Sequence, residues 1–374
     1  MRDSAQKIPA PRYESADLRE ELELVLNDVS VMASQENKKT GFCIGNTTKK
    51  IDRDYFFTPI RNTARCVCGS LIIDRVSIAE EIVSALDGRV DYLFIDTEKK
   101  ISPERYGRSD AGNVERAVRR IVKKSRVLTY KANDLIVDAM DSFLAQKLTG
   151  DERGVGAKKI AIIGVGNTGF KLALKLMERG AHVFVVRRNA KKLSAIVKAL
   201  NLIKPEGTIA RIRATTSIQK AITDADVVIG LTPGTGDITA PLIRRVKPAA
   251  LLIDAGKGSF SKEAVEEAER LGMFVYRSHI IASFEGQVAM LLKMEELMQQ
   301  AAGRATLHGV PLIAGGIVGK KGEIVVDDLW EPTQIYGIAD GAGDFNRSPN
   351  REEILQIAEL ARLLQEKKLA GAQS

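Results

Sequence analysis

The chain has 374 residues, of which 44% are apolar and 28% charged, and its formal net charge is +8. This length and composition are typical of a globular protein with two domains, or three. A chain of this length can bury enough apolar surface to be stable without disulfides or a structural metal ion. No stretch approaches the roughly 20 apolar residues of a membrane span. Residues 1–30 mix Arg, Asp, Glu and Pro, which argues against a signal peptide. A membrane partner is therefore excluded, and we expect a cytoplasmic protein.

The positive charge leaves a nucleic-acid partner open. The basic residues are scattered, in pairs such as Lys49-Lys50 and Arg119-Arg120, and no aromatic residues interleave with them. An anionic small ligand or a solvated surface explains the surplus as well. We expect a small-molecule substrate, no nucleic acid, and a homodimer as the candidate assembly.

The segments before residue 150 alternate between predicted helices and strands, which indicates an α/β fold. Helices are predicted at 16–26, 76–86, 112–124 and 132–149, with strands at 66–74 and 89–95. Residues 36–60 are polar and rich in turn formers, and 151–157 form a polar, glycine-rich linker. The linker marks a domain boundary near residue 150.

Beyond the linker the alternation is regular and predicts a parallel sheet with both faces covered. Strands are predicted at 159–163, 182–186, 208–213, 226–230, 249–253 and 273–276, and helices at 168–179, 190–200, 216–222, 239–245 and 261–271. A long helix over 283–303 follows. The tail carries two apolar runs within 310–326, which predict a hairpin, and a last helix at 350–369.

The cysteines Cys43, Cys66 and Cys68 are odd in number and form no disulfide framework, which favours a reducing compartment. Strand alternation puts Cys66 and Cys68 on one face. A metal site lacks a second cysteine pair, and a nucleophile lacks an identified base. We therefore expect buried thiols and no metal.

A glycine-studded turn, Gly164-Val165-Gly166-Asn167-Thr168-Gly169, follows the strand at 159–163 and opens a helix. In a dinucleotide-binding turn, Gly164 allows the tight turn, Gly166 lets the backbone approach a pyrophosphate, and Gly169 lets helix pack on strand. The helix start, with Asn167 and Thr168, offers unpaired N–H groups to the phosphate. The alternative is an ordinary strand–helix turn with nothing bound.

Two arginines, Arg187 and Arg188, follow the next strand, where NAD-binding folds carry an acidic residue for the ribose 2′-hydroxyl. An arginine instead pairs with a 2′-phosphate and can stack on the adenine. The position therefore favours NADP(H) as the cofactor, with NAD(H) as the alternative. The competing interpretation is a pair of solvated loop arginines.

Two later strands also end in small or polar residues. Thr232 and Pro233 follow the strand at 226–230, and Gly256 follows the one at 249–253. Ligands of open α/β sheets lie at the carboxyl ends of strands, so these residues are candidates for the nicotinamide pocket.

The pattern GVGNTG…VVRRN…ADVVIGLTPGT…LLIDAGKGSF…EGQVAMLL, over about residues 130–300, resembles the amino-acid-dehydrogenase-like superfamily. That group includes shikimate/quinate and methylenetetrahydrofolate dehydrogenases. The resemblance implies an N-terminal α/β catalytic domain over 1–150 and a Rossmann doubly wound parallel-sheet domain over 151–285. It also implies a returning helix and C-terminal hairpin/helix extension over 286–374. Substrate would bind in the cleft between the N-terminal domain and the Rossmann domain, and NADPH would supply the hydride.

The same resemblance implies a lysine–aspartate pair that handles the proton. Lys100, after the strand at 89–95, and Asp134, at the start of a helix, are the catalytic candidates, and Asn133 is a candidate substrate contact. Gln287 is the candidate for a substrate glutamine on the returning helix. From the residues alone, reducing a carbonyl or imine needs a proton donor, and a lysine beside a carboxylate can serve. The alternative is that Lys99-Lys100 is a solvated pair and Asp134 a helix cap.

Other candidates have simpler structural explanations. His279 could act as an acid or base, and it could equally be a structural histidine at the domain junction. Arg108 could anchor a substrate carboxylate or be a solvated loop residue. The glycine-rich segments 315–319 and 337–343 are typical of lids and also of plain turns.

The sequence thus predicts an NADP(H)-dependent dehydrogenase or reductase that transfers a hydride to or from a C=O or C=N carbon of a small polar substrate. The alternative function is a non-catalytic NAD(P)-binding sensor or regulatory module. Fold alone does not distinguish the two.

Overall fold

The structure, a computed structural model, describes residues 17–48, 51, 53–101 and 112–371. The chain divides into two compact units, residues 1–287 and 288–374. The first unit contains two largely parallel sheets, and the second contains a four-stranded sheet of its own. The α/β class with Rossmann-type sheets is therefore confirmed. The three-part division at 150 and 285 stays a prediction.

The first sheet contains six strands: β1 (Lys39–Asn46), β2 (Tyr55–Phe57), β3 (Arg61–Asn62), β4 (Cys66–Ile73), β5 (Tyr92–Asp96) and β6 (Arg126–Tyr130). Strands β4, β1, β5 and β6 are parallel neighbours in that order, and β2 and β3 pair antiparallel with β4. Four helices belong to this part of the chain: α1 (Leu18–Gln35), α2 (Val76–Leu86), α3 (Val114–Ile121) and α4 (Ala132–Lys147). Residues of α1, α2 and α3 form one buried core with β1, β4 and β5.

Strand β1 lies at the centre of this sheet, although the sequence predicts turns over 36–60. That prediction is wrong for Lys39–Asn46, of which the last six residues are buried. Gly41 faces Cys66, Cys68 and Phe94, and a Cβ at Gly41 would lie 2.8–2.9 Å from their side-chain atoms. The packing of neighbouring strands therefore requires the glycine that lowers the strand propensity of this run.

The second sheet contains six parallel strands: β7 (Lys159–Ile163), β8 (His182–Val186), β9 (Ile212–Thr215), β10 (Val227–Gly230), β11 (Leu251–Asp254) and β12 (Val275–Arg277). Their order is β9-β8-β7-β10-β11-β12, which is the Rossmann order. The helices are α5 (Asn167–Glu178), α6 (Ala190–Ile203), α7 (Ile218–Ile222), α8 (Ala240–Ile243), α9 (Lys262–Arg270) and α10 (Ile281–Glu296). Each predicted strand and helix of this region has a counterpart with small shifts at the ends, except that the strand predicted at 208–213 lies at Ile212–Thr215.

Both faces of the second sheet are buried. Along β7, Ile160 and Ile162 belong to one hydrophobic core and Ala161 and Ile163 to another. This is why β7 is a continuous apolar run rather than an alternating one. The strand order reverses between β7 and β10, and the carboxyl ends of these two strands are where such sheets bind ligands.

The second unit begins within α10, and a π-helical turn, Leu297–Ala301, follows that helix. Its sheet contains β13 (Gly303–Leu307), β14 (Val310–Ala314), β15 (Ile324–Val326) and β16 (Ile335–Ile338), and α11 (Arg351–Gly371) ends the described chain. The predicted hairpin within 310–326 is wrong, because β14 and β15 pair in parallel. Strands β13 and β14 form a tight antiparallel hairpin that turns at His308 and Gly309, both at positive φ, and β15 pairs antiparallel with β16.

Among the residues that the structure describes, no helix is both long enough and apolar enough to cross a membrane.

Candidate functional site

The glycine turn after β7 has a backbone that only glycine allows at its first position. Gly164 has a φ of +86°, and a Cβ there would lie 2.3 Å from Thr232 Cγ2. The N–H groups of Gly164 and Val165 both donate to the Val186 carbonyl, at 3.0 and 3.1 Å. The turn is thereby held between the ends of β8 and β10.

The next two glycines differ in their surroundings: Gly166 borders open space, and Gly169 packs closely against neighbouring residues. A Cβ at Gly166 would meet no described atom within 4 Å, whereas a Cβ at Gly169 would lie 3.0 Å from Val165 Cγ1 and 3.2 Å from Leu231 Cδ1. Gly166 is the N-cap of α5, and no side chain of the described residues caps the helix. The first N–H groups, at Asn167 and Thr168, therefore have the arrangement of an anion-binding helix start.

A cleft of about 460 Å³ opens beside this turn. Its lining includes six of the predicted cofactor-binding residues: Gly164, Gly166, Arg187, Arg188, Thr232 and Pro233. Arg188 is exposed, whereas Arg187 is half-buried and donates from Nη1 to the Val165 carbonyl at 2.9 Å. The two arginines therefore differ. Arg187 holds the glycine turn by its hydrogen bond, whereas the exposed Arg188 lies at the rim of the cleft.

The loops after β10 and β11 are fixed to each other. Ser259 Oγ donates to the Thr232 carbonyl at 2.8 Å, and Asp254 accepts from the N–H groups of Gly256 and Gly258, at 3.2 and 2.6 Å. A Cβ at Gly256 would lie 2.2 Å from the Thr232 oxygen. Thr232 Oγ1 is buried without a hydrogen-bond partner among the described residues, which leaves a polar group for a ligand at this edge.

Lys100, the predicted proton donor, is held by two carboxylates at the end of β5. Its Nζ lies 2.8 Å from Asp96 Oδ2 and 2.8 Å from Glu98 Oε2. The side chains of Lys100, Asp96 and Glu98 are 18%, 0% and 13% exposed. The alternative of a solvated lysine pair therefore applies to Lys99, which is exposed, and not to Lys100.

The backbone around Lys100 is fixed as tightly as its amine. The Lys100 N–H donates to Asn46 Oδ1 at 2.9 Å, and Asn46 Nδ2 donates to the Asp96 carbonyl at 3.2 Å. Asp96 Oδ1 also accepts from the N–H of Glu98 at 3.1 Å and of Ala132 at 3.3 Å. The carboxyl ends of β1 and β5 and the start of α4 are thus hydrogen-bonded around the Lys100 backbone and the Asp96 side chain.

Asp134, the predicted partner of Lys100, pairs with other lysines. Its Oδ1 accepts from Lys171 Nζ at 2.5 Å, and its Oδ2 lies 3.6 Å from Lys131 Nζ. Burial raises the pKa of Asp134, but the two lysines lower it by a larger amount. The pKa of Asp134 therefore lies below its ordinary value. The structure does not bring Asp134 and Lys100 together as a direct pair, and the catalytic role of Asp134 stays a prediction.

The Asp134–Lys171 pair is one rung of a ladder between α4 and α5. Asp138 pairs with Lys175 at 2.5 Å, and Asp141 pairs with Arg179 through two hydrogen bonds of 2.6 and 2.8 Å. Both helices contribute a charge every three or four residues, which places all three pairs along one contact. This ladder explains the acidic face of α4 without catalysis.

The two other residues predicted to contact substrate are Asn133 and Gln287. The Asn133 N–H donates to Glu98 Oε2 at 2.9 Å, which ties the start of α4 to the Lys100 group. Gln287 is half-buried on α10. Near it, Glu285 Oε1 accepts from the Ala64 N–H at 2.9 Å, so the start of this helix contacts the first sheet.

The remaining candidates gain no catalytic partner in the described residues. His279 is exposed, and its Nδ1 accepts from the Ile281 N–H at 3.4 Å, at the start of α10. Cys66 and Cys68 are buried free thiols with sulfurs 3.4 Å apart. Contacts with Cys43 and Cys66, together with burial, raise the pKa of the Cys68 thiol, which disfavours a nucleophilic thiolate. Arg108 lies outside the described residues.

Sequence reasoning missed three residues of the Lys100 group. The signal for Asp96 and Glu98 was present, because two acids and a lysine at alternate positions follow a buried strand. Asn46 had no comparable signal, because the strand that positions it was itself not predicted.

A family model supports the interpretation of the second sheet. Residues 159–258 match the family described as NADP oxidoreductase, coenzyme F420-dependent. The match covers less than half of the chain and contains the glycine turn and both arginines. This segment is an NAD(P)-binding domain of the Rossmann type. A search of curated proteins with this sequence gives no match.

Several solved structures share parts of the fold. The A chain of dipicolinate synthase from Bacillus subtilis matches with a TM-score of 0.33 and 12% identity, over 70% of this chain and 98% of that one. L-tryptophan dehydrogenase from Nostoc punctiforme gives 0.36 and 16%, over 61% of each chain. Glutamate dehydrogenase from Thermus thermophilus gives 0.41 and 11%, over 70% and 69%. These TM-scores are below 0.5, and no conclusion about activity rests on them.

Proposed function

We propose that this protein is an NADP(H)-dependent oxidoreductase that transfers a hydride to or from a C=O or C=N carbon of a small polar substrate. The observation that carries the proposal is the cleft at the ends of β7, β8 and β10. It combines a glycine turn, an uncapped helix start and two arginines in about 460 Å³. The NAD(P)-binding family match over the same residues supports it.

The preference for NADP(H) rests on the residues after β8. Positions 187–189 are Arg, Arg and Asn, so no carboxylate stands where NAD-binding folds accept the ribose 2′-hydroxyl. Arg188 is exposed at the cleft and is the group we assign to the 2′-phosphate. Arg187 contributes charge to the same place while it braces the turn.

The substrate end of the proposal rests on Lys100. Reduction of a carbonyl or imine needs a proton at oxygen or nitrogen as hydride reaches carbon. Lys100 lies at the carboxyl end of β5, and its partner Glu98 is 4.0 Å from Lys171, in the second turn of α5. Glu98 therefore links the Lys100 amine to α5, the helix that we assign to the pyrophosphate.

Titration calorimetry of NADPH and NADH with the full chain tests the nucleotide part. We expect NADPH to bind more tightly than NADH. Arg188→Ala should weaken NADPH by about tenfold or more, because a charge-assisted phosphate contact is lost, and should leave NADH almost unchanged. Lys198→Ala, which removes an exposed cation from α6, the helix that follows Arg188, is the matched control and should change neither affinity.

Each other outcome is informative. An absence of binding by either nucleotide would remove the oxidoreductase proposal. If Arg188→Ala weakened NADPH and NADH binding equally, the assignment of Arg188 to the 2′-phosphate would be wrong. Tight binding without NADPH oxidation on any of a panel of 2-oxo acids and imines would favour the sensor alternative.

The homodimer stays a prediction. Light scattering of the purified chain over a range of concentrations tests it, and a monomer throughout that range would exclude it.

A further inference from the structure

We propose that Asp96 and Glu98, rather than Asp134, are the carboxylates that position Lys100 as the proton donor. This inference rests on the proposed function, because it names residues that would serve the same proton transfer. It assigns to Asp96 and Glu98 a positioning role that acts through Lys100.

The first support is the geometry of the amine. Lys100 Nζ is 2.8 Å from one oxygen of Asp96 and 2.8 Å from one oxygen of Glu98. An ammonium has three N–H groups. Within the described residues, one N–H donates to Asp96 Oδ2, and Glu98 Oε2 forms an ion pair with the same nitrogen. The two carboxylates therefore hold the amine in place and leave an N–H for a substrate oxygen or nitrogen.

The second support is that each carboxylate is itself fixed. Asp96 is fully buried and accepts from the backbone N–H groups of Glu98 and Ala132 as well as from Lys100. Glu98 accepts from the Asn133 N–H through the same oxygen that faces Lys100. A buried carboxylate held by backbone donors keeps its place when substrate binds, which is what a positioning group requires.

The third support is the position of Asp134. Its two oxygens face Lys171 and Lys131, and it continues the series of acids that pairs α4 with α5. The connection from Asp134 to Lys100 runs through two further charges, Lys171 and Glu98, and the contact between those two is the long one at 4.0 Å. Asp134 therefore acts on α5 directly and on Lys100 only at a distance.

The test measures the reactivity of the Lys100 amine toward acetic anhydride in the full chain, by mass spectrometry over a range of pH. Lys99 is the internal reference, because it is exposed, adjacent and on the same peptide. In the wild type, Lys100 should react more slowly than Lys99. Asp96→Asn and Glu98→Gln should each raise the Lys100/Lys99 ratio by about tenfold, the value of one charge-assisted hydrogen bond, and shift its pH profile. Asp134→Asn should leave both the ratio and the profile at the wild-type values.

Two variants guard against a folding artefact. Asp96→Asn removes a buried charge, so Glu98→Gln, at a partly exposed position, provides the same test with less risk. Unfolding near α4 would also raise the labelling of Lys175, which pairs with Asp138 of that helix, and Lys175 labelling should stay constant in Glu98→Gln. An unchanged Lys100 ratio in both Asp96→Asn and Glu98→Gln, or a raised ratio in Asp134→Asn alone, would overturn the proposal.

A second readout separates this proposal from the proposed function. NADPH oxidation is followed with pyruvate, glyoxylate and 2-oxoglutarate, each with and without ammonium chloride. If a substrate is turned over, Glu98→Gln should lower kcat about tenfold and change the pH profile, with KM little changed. Glu98→Gln kinetics equal to the wild type would count against the positioning role. If none is turned over, the labelling result still decides which carboxylates hold Lys100.

Discussion

The two ends of the candidate site differ in the chemical groups that form them. The proposed nucleotide end is formed by backbone: Gly164, Gly166 and Gly256 shape it, and its proposed donors are the N–H groups at the start of α5. The proposed substrate end is formed by charged side chains, with Lys100 held between Asp96 and Glu98. Backbone sites depend on local conformation, whereas side-chain sites depend on which partner the tertiary structure brings near.

This difference decides what a sequence can show. Gly164 is required by its own positive φ and Gly169 by Val165, four residues before it, so local spacing carries the geometry of this turn. The partner of Lys100 is chosen among three acids by the packing of β1, β5 and α4. The sequence therefore suggested Lys100 as the candidate amine and assigned Asp134 to it, whereas the structure pairs Lys100 with Asp96 and Glu98.

The largest effect expected from this comparison is that of Gly164→Ala. The new Cβ would lie 2.3 Å from Thr232 Cγ2, on a residue with a φ of +86°. The cost of a left-handed alanine and of the overlap together is about 3 kcal/mol or more. Urea unfolding should show this loss in the free energy of unfolding, along with loss of NADPH binding.

Gly166→Ala is the matched control for that prediction. No described atom lies within 4 Å of its Cβ position, and its φ of −118° suits any residue. We expect unfolding free energy within about 0.5 kcal/mol of the wild type and NADPH binding weaker by about tenfold or more, because the methyl group occupies the path of the pyrophosphate. Normal nucleotide affinity in Gly166→Ala would show that the phosphate lies elsewhere.

The next effect concerns the side-chain ladder between α4 and α5. Arg179→Ala removes both hydrogen bonds to Asp141, whose side chain is 9% exposed, and leaves that carboxylate buried. We expect a loss of about 1–3 kcal/mol in the free energy of unfolding, measured in urea. Lys175→Ala, on the more exposed rung with Asp138, should cost at most about 1 kcal/mol. Equal losses in the two variants would contradict the ladder as described.

The same contrast between local and tertiary determinants runs through the fold. The second sheet was predicted strand by strand, because β7, β8, β10 and β11 are mostly apolar runs between turn residues. In the first sheet β1 was missed, since Gly41 looks like a strand breaker until Cys66, Cys68 and Phe94 are placed against it. The pairing of β14 with β15 was predicted as a hairpin, because the periodicity of a strand does not specify whether its neighbour runs parallel or antiparallel.

The smallest effect is the most direct test of Asp134 as a structural residue. Its pKa is lowered in the folded protein, mainly by Lys171 against the opposing effect of burial. A carboxyl group with a depressed pKa contributes stability that is present above its ordinary value of 3.8 and is lost as the pH falls through its folded value. A double-mutant cycle of Asp134→Asn and Lys171→Met should therefore give a coupling of at most about 1 kcal/mol at pH 7, since both side chains are more than a third exposed.

That coupling should persist from pH 7 to about pH 5 and shrink as the pH is lowered further toward the ordinary pKa of Asp134 and below it. The measurement is urea unfolding of the four proteins at each pH. Since Asp134 is not among the residues that line the cleft beside the glycine turn, NADPH affinity of Asp134→Asn should equal that of the wild type at neutral pH. A coupling that is absent at pH 7, together with lost turnover in Asp134→Asn, would return Asp134 to the proton-transfer group and make the two ends of the site one charged network.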